Sequence, residues 1–420
     1  MQNINSFLKF IKEKDFTYNS IIQINTLALN EAEKLDNYFK KNKKLKGRLH
    51  GIPVLIKDNI KTKDYLATSC GSIIFKDFYS DENAQIVDWL LSEGAVILGK
   101  TNMCEFSNYV SNASNSGFSS LGGQTYSIYG SNYEVGGSSS GSAVAVAASL
   151  CIFSIGTETD GSVVYPAAQN GVFAFKFCSD QISSKGIIGI SSYFDAIGFF
   201  TKKLDDLKYI IDLLTNKSIF NNTTKRVFIE KSSFQNILGS EKLYGLIIDF
   251  LDNFKIDYKT GTFIENMEPY FEMIDIVCQA EFKSNFLKHF YIESEDFLEK
   301  CRECLLGDYY TDINEIERSF ASDFISDGSY VYSISELNLL KKSKYNYLQQ
   351  EEMDLVIALT LGPNEVASIA NMAGFTHLVV PLDFLGEFSL AFSILGRPGN
   401  EDKSFIFAES FILYLKNKNL

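Results

Sequence analysis

Histidine is scarce in this chain of 420 residues, which contains only His50, His289 and His377. A Ser-His-Asp triad needs a histidine that is held by a carboxylate and faces a serine. His50 precedes a Gly-Ile-Pro turn and His377 begins an apolar strand, and both settings are typical of structural histidines. No G-x-S-x-G turn surrounds a plausible nucleophile, and no cluster of His, Asp and Glu has the spacing of metal ligands. The sequence therefore argues against histidine-based hydrolysis and against a metal site.

Long apolar runs and basic stretches are missing as well. No apolar run reaches the roughly 18 residues of a transmembrane helix, and residues 1–12 lack the apolar core of a signal peptide. We therefore expect a cytoplasmic protein without a membrane partner. The net charge is −13, and the lysine-rich run at residues 40–46 is typical of a solvated helix end. No basic stripe is present to neutralise phosphates, so we expect no nucleic-acid partner.

Cysteine does not supply a disulfide or metal framework. The chain has seven cysteines, an odd number, and only Cys301 and Cys304 are close together in the sequence. This pair has no second pair and no histidine nearby, and it lies in a helical pattern, which disfavours a zinc or redox role. The sequence predicts free thiols in a reducing compartment.

Strand and helix patterns alternate up to about residue 200, which predicts an α/β fold with a largely buried sheet. The predicted helices are residues 26–39, 81–92 and 140–150, and the predicted strands are residues 49–56, 95–98 and 151–155. The glycine at position 94 and the acidic first turn after Ser80 mark the ends of the second helix.

Residues 201–353 are largely helical in pattern and rich in Phe and Tyr, with residues 226–230 as the one strong strand signal. The α/β pattern returns at 354–420, where strands are predicted at 354–359, 377–381 and 388–395 and a helix at 401–415. Strands on both sides of a helical excursion predict one domain over 1–420, and its core at about 49–200 contains most of the motifs discussed below. Proline, with six residues in the chain, marks no hinge between separate domains.

Residues 94–101 match the P-loop expression GxxxxGK followed by Ser or Thr. A phosphate-binding loop needs flexible residues whose amides converge on the anion. Here the residues between the glycines are Ala, Val, Ile and Leu, which favour a strand. The match is therefore rejected as an NTPase signal.

The most informative segment is 136–166, where two Ser/Gly-rich turns are joined by an Ala/Val helix and an apolar strand. The first turn exposes Ser138 and the second exposes Ser162, 24 residues later. Such turns before helices often have no chemical role, and this alternative stays open on the residues alone. Glycines around Ser138 permit close backbone approach, and successive amides before Ser162 could converge as an oxyanion hole.

Lys57 is the remaining candidate for a base. A lysine accepts a proton only when it is neutral, so its pKa must fall well below about 10.4. The apolar residues 54–56 would bury its stem, and burial disfavours the ammonium form. The alternative is that Lys57 forms a structural ion pair with Asp58 at a strand end, and the local sequence does not decide between the two.

With these residues identified, the chain resembles the amidase signature family of Ser-cisSer-Lys hydrolases. The strongest match is G-G-S-S-S-G-S-A-V-A-V-A-A at residues 136–148. The other matching segments are residues 49–60, 94–106, 122–125, 155–163, 186–191 and 373–381. The resemblance is nearly continuous from about 49 to 200 and patchy near the carboxyl terminus. It implies a large mixed, mostly parallel central sheet covered by helices on both faces.

The resemblance also implies the roles of the site residues. Ser162 would be the nucleophile, Ser138 the bridging serine on a cis peptide after Gly137, and Lys57 the base. The backbone amides of Thr159, Asp160, Gly161 and Ser162 would form the oxyanion hole. No cofactor and no metal are required by this chemistry.

Within the family, the residues G-T-E-T-D-G-S before the nucleophile resemble the peptide amidase and related stand-alone amidases. The tRNA-dependent amidotransferase A subunits usually have G-T-D-T-G-G-S there. The chain departs from the family at residues 177–180, at Gly189, which replaces a usual proline, and at Tyr165, where a small residue is common. These departures bear on substrate range, and the altered 177–180 loop bears on activity as well.

We therefore expect an amidase that hydrolyses a peptide-terminal or small acyl amide to an acid and ammonia or an amine. The expected partner is that substrate alone, with the protein a monomer or homodimer. Two alternatives remain at this stage. One is the glutaminase A subunit of a tRNA-dependent amidotransferase, and the other is a catalytically silent binding protein with an amidase fold.

Overall fold

The strands of this chain form one large mixed sheet and one short hairpin. The computed structural model describes residues 1–109, 115–216, 224–263, 267–305, 327–361, 365–382 and 390–419. Within these residues the strands are β1 Ile21–Ile24, β2 Pro53–Lys57, β3 Val96–Thr101, β4 Phe118–Ser119, β5 Gly123–Gln124, β6 Phe153–Glu158, β7 Phe173–Lys176, β8 Ala196–Thr201, β9 Arg226–Glu230, β10 Asp257–Gly261, β11 Leu355–Leu359, β12 Thr376–Pro381 and β13 Ala391–Gly396.

The sheet has the strand order β1-β3-β2-β6-β8-β7-β12-β13-β11-β9-β10. Parallel pairs form two blocks, β3-β2-β6 and β11-β9-β10. The strands between these blocks, and β1 at the edge, pair in the antiparallel direction. The mixed sheet is confirmed, but its parallel share is smaller than the resemblance implied. The reason is that four consecutive neighbours in the middle, β8-β7-β12-β13, alternate in direction.

Helices cover both faces of the sheet. They are α1 Gln2–Tyr18, α2 Ala28–Asn42, α3 Gln85–Ser92, α4 Ser140–Ala147, α5 Val164–Gln169, α6 Leu204–Thr215, α7 Ser240–Phe254, α8 Glu268–Phe290, α9 Ser294–Leu305, α10 Asp327–Gln350, α11 Glu365–Met372 and α12 Glu401–Asn417. Short 3-10 turns occur at Ile73–Phe75, Glu105–Asn108 and Lys231–Phe234. In the described part of the chain, none of these helices is long and apolar enough to span a membrane.

Alternating residues of the strands divide the core between the two faces. On β2, Val54 and Ile56 join the cluster under α3, α6, α7 and α12, whereas Leu55 joins the cluster under α1, α2, α4 and α5. This period of two follows from the pleat of a strand. A third, aromatic cluster joins α8 and α10 to the 3-10 turn at Ile73–Phe75 and to Phe106. The predicted α/β class with helices on both faces is thus confirmed.

Most predicted elements are present, with ends that differ by a few residues. The strand at 226–230 has the predicted bounds, and residues 94–101 contain β3, so the P-loop match does run through a strand. The 201–353 region contains a further strand that gave no strong signal, β10, which pairs with β9. β10 lies at the sheet edge with mostly exposed residues, so its sequence lacks the apolar signal of a buried strand. The side chains of Cys301 and Cys304 are not among those that the structure describes.

The topology brings the predicted site residues to one edge of the sheet. Lys57 is the last residue of β2, and β6 is its parallel neighbour. The turn after β6 carries Ser162, immediately before α5, and the turn before α4 carries Ser138. The carboxyl ends of neighbouring parallel strands are a usual location for ligand sites in open α/β sheets.

Candidate active site

Lys57 is completely buried at the end of β2 and faces a serine. Its Nζ lies 2.7 Å from Ser138 Oγ, 3.0 Å from Thr157 Oγ1 and 3.2 Å from the Thr157 carbonyl oxygen. The neighbouring Asp58 instead accepts hydrogen bonds from the backbone N–H groups of Ser69 and Gly71. Among the described residues Lys57 has no ion pair with Asp58, so the alternative of a structural ion pair does not hold.

The environment of Lys57 lowers the proton affinity of its side-chain amine. Burial lowers the pKa of Lys57 from 10.5 to about 8, and the nearby Cys104, Cys70, Asp195 and Glu158 offset only part of this effect. Desolvation disfavours the ammonium form, and no carboxylate of the described residues forms an ion pair with it. The lysine can therefore exist in its neutral form at mildly alkaline pH.

Ser138 lies between the lysine and a second serine. Its Oγ is 3.0 Å from Ser162 Oγ, which completes a chain of contacts from Lys57 through Ser138 to Ser162. The peptide bond between Gly137 and Ser138 is cis. A β-carbon on Gly137 would lie 2.3 Å from Cys104 Sγ, so the turn needs a glycine at this position. The Cys104 backbone N–H also donates to the Ser138 carbonyl oxygen at 3.1 Å.

Ser162 lies at the bottom of a cavity, immediately before α5. The residue is 9% exposed and lines an open cavity of about 540 Å³. In the described part of the chain, no residue accepts a hydrogen bond from the backbone N–H of Asp160, Gly161 or Ser162. These amides therefore have no acceptor among the described residues, which an oxyanion hole requires, and Asp160 and Ser162 line the cavity.

Glu158 fixes the turn that carries Ser162. Its Oε2 accepts hydrogen bonds from the backbone N–H groups of Val163 at 2.7 Å and Val164 at 3.0 Å. Its Oε1 accepts from Asn371 at 3.0 Å, and Asn371 in turn accepts from the buried ammonium of Lys176. This network connects the nucleophile turn to β7 and α11.

A second carboxylate, Asp195, supports the same turn from the other side. Thr159 Oγ1 donates to Asp195 Oδ1 at 2.5 Å, and the backbone N–H of Ser191 donates to Asp195 Oδ2 at 3.1 Å. Burial raises the pKa of Asp195 from 3.8 to about 7. Thr159 lines the same cavity as Ser162, so Asp195 contacts a residue of the cavity wall.

The cavity wall combines aromatic side chains with carboxylates. Tyr109 and Tyr165 line it together with three acidic residues, Glu134, Asp160 and Asp275. The Ser368 hydroxyl donates to the Asp160 carboxylate and lies 2.9 and 3.0 Å from its two oxygens, and burial raises the pKa of Asp160 to about 6. No lysine or arginine is among the described residues that line the cavity.

The structure brings Lys57, Ser138 and Ser162 together in the predicted order, with Thr159, Asp160 and Gly161 in the adjoining turn. Sequence reasoning missed Thr157 and Asn59, although both lie in the quoted motifs. Asn59 donates to Thr157 Oγ1 at 3.0 Å and thereby orients the hydroxyl that contacts the lysine. The position of Asn59, two residues after Lys57, is the only signal that could have indicated it.

The unusual segment 177–180 lies away from the cavity that contains Ser138 and Ser162. Phe177 is buried against Phe175 and Phe199, and Asp180 forms an ion pair with Lys341 at 3.5 Å. No residue of this segment lines the described cavity wall. Nor do three or more His, Cys, Asp or Glu side chains within the described ranges form a cluster able to hold a metal ion.

Comparison with solved structures identifies similar folds. The chain aligns with the peptide amidase of Stenotrophomonas maltophilia with a TM-score of 0.86 and 28% sequence identity, over 97% of this chain and 92% of that one. An amidase family protein from Bacillus anthracis aligns with a TM-score of 0.83 and 28% identity, over 96% of this chain and 86% of that one.

Comparison with curated sequences gives two kinds of relatives. A probable amidase of Arabidopsis thaliana is 35% identical over 58% of this chain and 48% of its own length. The glutamyl-tRNA(Gln) amidotransferase A subunit of Prochlorococcus marinus is 36% identical over 58% of this chain and 48% of its own length. The chain thus spans about half the length of these curated relatives.

The family model described as Amidase matches residues 2–257, more than half of the chain. This region contains Lys57, both serines and the turn before Ser162. Family match, fold and site geometry agree, and we conclude that the chain belongs to the amidase family.

Proposed function

We propose that this protein hydrolyses a carboxylic amide to an acid and ammonia or an amine through an acyl-enzyme on Ser162. The observation that carries the proposal is the continuous chain of contacts Lys57–Ser138–Ser162, with distances of 2.7 and 3.0 Å. Both distances are within hydrogen-bond reach, as general-base activation of a nucleophile requires.

Proton transfer along this chain activates the nucleophile. Neutral Lys57 accepts the Ser138 hydroxyl proton while Ser138 accepts the Ser162 proton, and Ser162 Oγ forms a bond to the amide carbon. The C–N bond of the tetrahedral intermediate then breaks, and the relay returns the proton to the leaving nitrogen. Water attacks the resulting ester by the same route, which releases the acid and restores Ser162.

The turn before Ser162 supplies the electrostatic part of the proposal. As the carbonyl oxygen becomes an oxyanion, the amides of Thr159, Asp160, Gly161 and Ser162 would donate to it. One such donor contributes about 3 kcal/mol to transition-state stabilisation. Glu158 and Asp195 hold the two ends of this turn in place.

A peptide-terminal or small acyl amide is the proposed substrate class. The similarity to the peptide amidase over nearly the whole chain supports this class, as does the Glu158-Thr159-Asp160-Gly161 sequence. A cavity of about 540 Å³ has room for such a molecule. We also infer one domain over residues 1–420, since β1 and β13, near opposite ends of the chain, belong to one sheet.

A glutaminase A subunit is the second candidate function, favoured by the relatives that carry this name. Free glutamine has an α-carboxylate, which a binding site normally holds with a cation. The described cavity wall instead carries Glu134, Asp160 and Asp275 without a lysine or arginine. This charge pattern favours the stand-alone amidase. The alternative of a silent binding protein was based on the altered 177–180 loop. It loses support because no residue of that loop lines the cavity.

An active-site probe combined with product analysis tests the proposal. A fluorophosphonate should label wild-type protein once, at Ser162, and a panel of peptide amides, acyl amides and glutamine should be assayed for released acid by mass spectrometry. We expect Ser162→Ala, Ser138→Ala and Lys57→Ala to lose at least about 10³-fold in turnover.

Ser284→Ala is the matched control, because Ser284 is an exposed serine on α8 whose hydroxyl bonds only its own helix backbone. It should label and turn over like wild type. A folded wild-type protein that neither labels nor hydrolyses any amide would favour the silent binding protein. Hydrolysis of glutamine in preference to all other amides would favour the glutaminase.

A further inference from the structure

A second cavity, separate from the catalytic one, lies between the segment that follows β2 and the carboxyl end of α8. Its volume is about 360 Å³. Its charged and titratable lining residues are Lys61, Lys185, Lys288, His289, Glu82, Asp195 and Tyr291. None of the three catalytic residues reaches it, and the proposed hydrolysis does not use it.

Lys61 is the feature that requires an explanation. Its side chain is only 2% exposed, yet within the described residues its ammonium makes no hydrogen bond. Its one ion pair is to Glu82 at 3.7 Å, a partner that is itself 44% exposed, and it lies 5.7 Å from the Tyr291 ring centroid. Because Lys61 lines the cavity and its ammonium has no hydrogen-bond acceptor among the described residues, water or a ligand in the cavity must supply its acceptors.

The remaining lining residues add donors and positive charge around Lys61. Lys185 and Lys288 are exposed at the rim, and Ser184, Ser192 and Asn285 contribute polar side chains. The cavity is thus lined by three lysines and by two carboxylates, those of Glu82 and Asp195. Burial, Lys61 and Lys288 together lower the pKa of His289 from 6.5 to about 4, which indicates a positive field at that wall.

The floor of this cavity is shared with the catalytic turn. Asp195 lines the second cavity, and its carboxylate accepts the hydrogen bond from Thr159, which lines the first. Because burial raises the pKa of Asp195 to about 7, the carboxyl is mostly protonated in weakly acid solution and then repels an anion less.

We propose that this second cavity binds a phosphate-type oxyanion through Lys61, and that Asp195 couples its occupancy to the catalytic turn through Thr159. The oxyanion supplies the acceptors that the Lys61 ammonium lacks, and the rim lysines draw it in. The negative charge of a bound anion next to Asp195 stabilises the protonated carboxyl. This changes the hydrogen bond that holds Thr159 and with it the position of the proposed oxyanion amides.

Binding is measured first, and this measurement does not depend on amidase activity. Inorganic phosphate is titrated into the full chain at about pH 6.5, well above the pKa of about 4 to which burial lowers His289, with chloride holding the ionic strength fixed. Calorimetry, and the rise of the thermal unfolding midpoint with phosphate concentration, measure whether phosphate binding saturates. We expect saturable binding that Lys61→Met weakens at least about fivefold, the effect of losing one charged hydrogen-bond donor.

Lys63→Met is the matched control, because Lys63 is exposed, two residues away, and does not line the cavity. It should bind phosphate like wild type. Lys288→Met, at an exposed position that should not affect folding, serves as a second test and should also weaken binding. No saturable binding beyond chloride, or equal binding by the Lys61→Met and Lys63→Met variants, would overturn the site.

The coupling is measured as the rate of fluorophosphonate labelling at Ser162 with and without phosphate. We expect phosphate to change this rate in wild type and to leave it unchanged in Asp195→Asn, which cannot titrate. Saturable binding with no change of the labelling rate in wild type would overturn the coupling through Asp195. A protein that binds phosphate but never labels would count against the proposed amidase function and not against the binding site.

Discussion

The carboxylate of Asp195 occupies the space that a side chain on Gly189 would need. A β-carbon on residue 189 would lie 1.7 Å from Asp195 Oδ2. The sequence showed glycine where the family usually has proline, and the structure supplies a physical reason. Without a side chain at 189, Asp195 can reach both Thr159 and the backbone N–H of Ser191.

Gly189→Ala should therefore displace Asp195 and loosen the catalytic turn. We expect a loss of about 1–3 kcal/mol in the free energy of unfolding, the usual cost of overpacking, and slower labelling of Ser162. Urea denaturation and labelling kinetics measure the two effects. Gly245→Ala is the control, since no atom lies within 4 Å of a β-carbon at that position in α7. It should be neutral or stabilising by up to about 1 kcal/mol. Equal effects of the two substitutions would contradict the argument.

The rate of Ser162 acylation should rise with pH through the titration of Lys57. Burial lowers the Lys57 pKa to about 8, and only the neutral amine can accept a proton. The labelling rate should therefore increase about tenfold per pH unit well below pH 8 and level off above it. Labelling measured between about pH 6 and pH 9.5 checks this.

Asp195 titrates in a similar range, with a pKa raised to about 7, and Asp195→Asn separates the two groups. In that variant the maximal rate should fall, and a Lys57 midpoint should remain, shifted slightly downward because Asp195 no longer opposes the lowering of the Lys57 pKa. A pH-independent labelling rate in wild type, or loss of the midpoint in Asp195→Asn, would show that Lys57 is not the titrating base.

The catalytic centre was predictable because its residues lie in short, contiguous motifs. Lys57, Ser138 and Ser162 each occupy a turn or strand end that the local pattern marks. Their mutual contacts depend on β2 and β6 being parallel neighbours, and alternating strand and helix patterns predict such neighbours. The order Lys57–Ser138–Ser162 came from the family resemblance and not from spacing.

The supporting residues were not predictable, because they come from distant parts of the chain. Asn371 contacts Glu158 across 213 positions, and Ser368 contacts Asp160 across 208. No local sequence pattern indicates contacts between residues so far apart in the chain. The edge strand β10 was missed for a different reason, since its exposed residues carry no alternation of apolar and polar side chains.

Glu158→Gln should destabilise the fold by leaving a buried cation without its anion. Glu158 is connected through Asn371 to Lys176, which is 1% exposed. Burial already lowers the Lys176 pKa, and Glu158 is the largest effect opposing that shift. Removal of one partner of a direct buried charge pair costs about 3–5 kcal/mol. We expect a smaller loss here because Asn371 separates the two charges, and urea denaturation measures it. Adding Lys176→Met to Glu158→Gln should recover part of this loss. A double variant less stable than Glu158→Gln alone would show that the two charges do not compensate each other.

Tyr165 should limit the size of the acyl group that reaches Ser162. Its ring packs against the catalytic turn, where a β-carbon on Gly161 would lie 2.2 Å from Tyr165 Cε2, and it lines the cavity. Tyr165→Ala should open space beside the nucleophile, so kcat/KM should rise for amides with bulky aromatic acyl groups and fall for small ones. We expect the ratio of kcat/KM for bulky amides to kcat/KM for small amides to change about tenfold, which is the effect of a few methylene groups in a pocket. Tyr165→Phe keeps the ring and should keep the wild-type ratio. If Tyr165→Ala lowers both rates equally, the ring supports the turn and does not select the substrate.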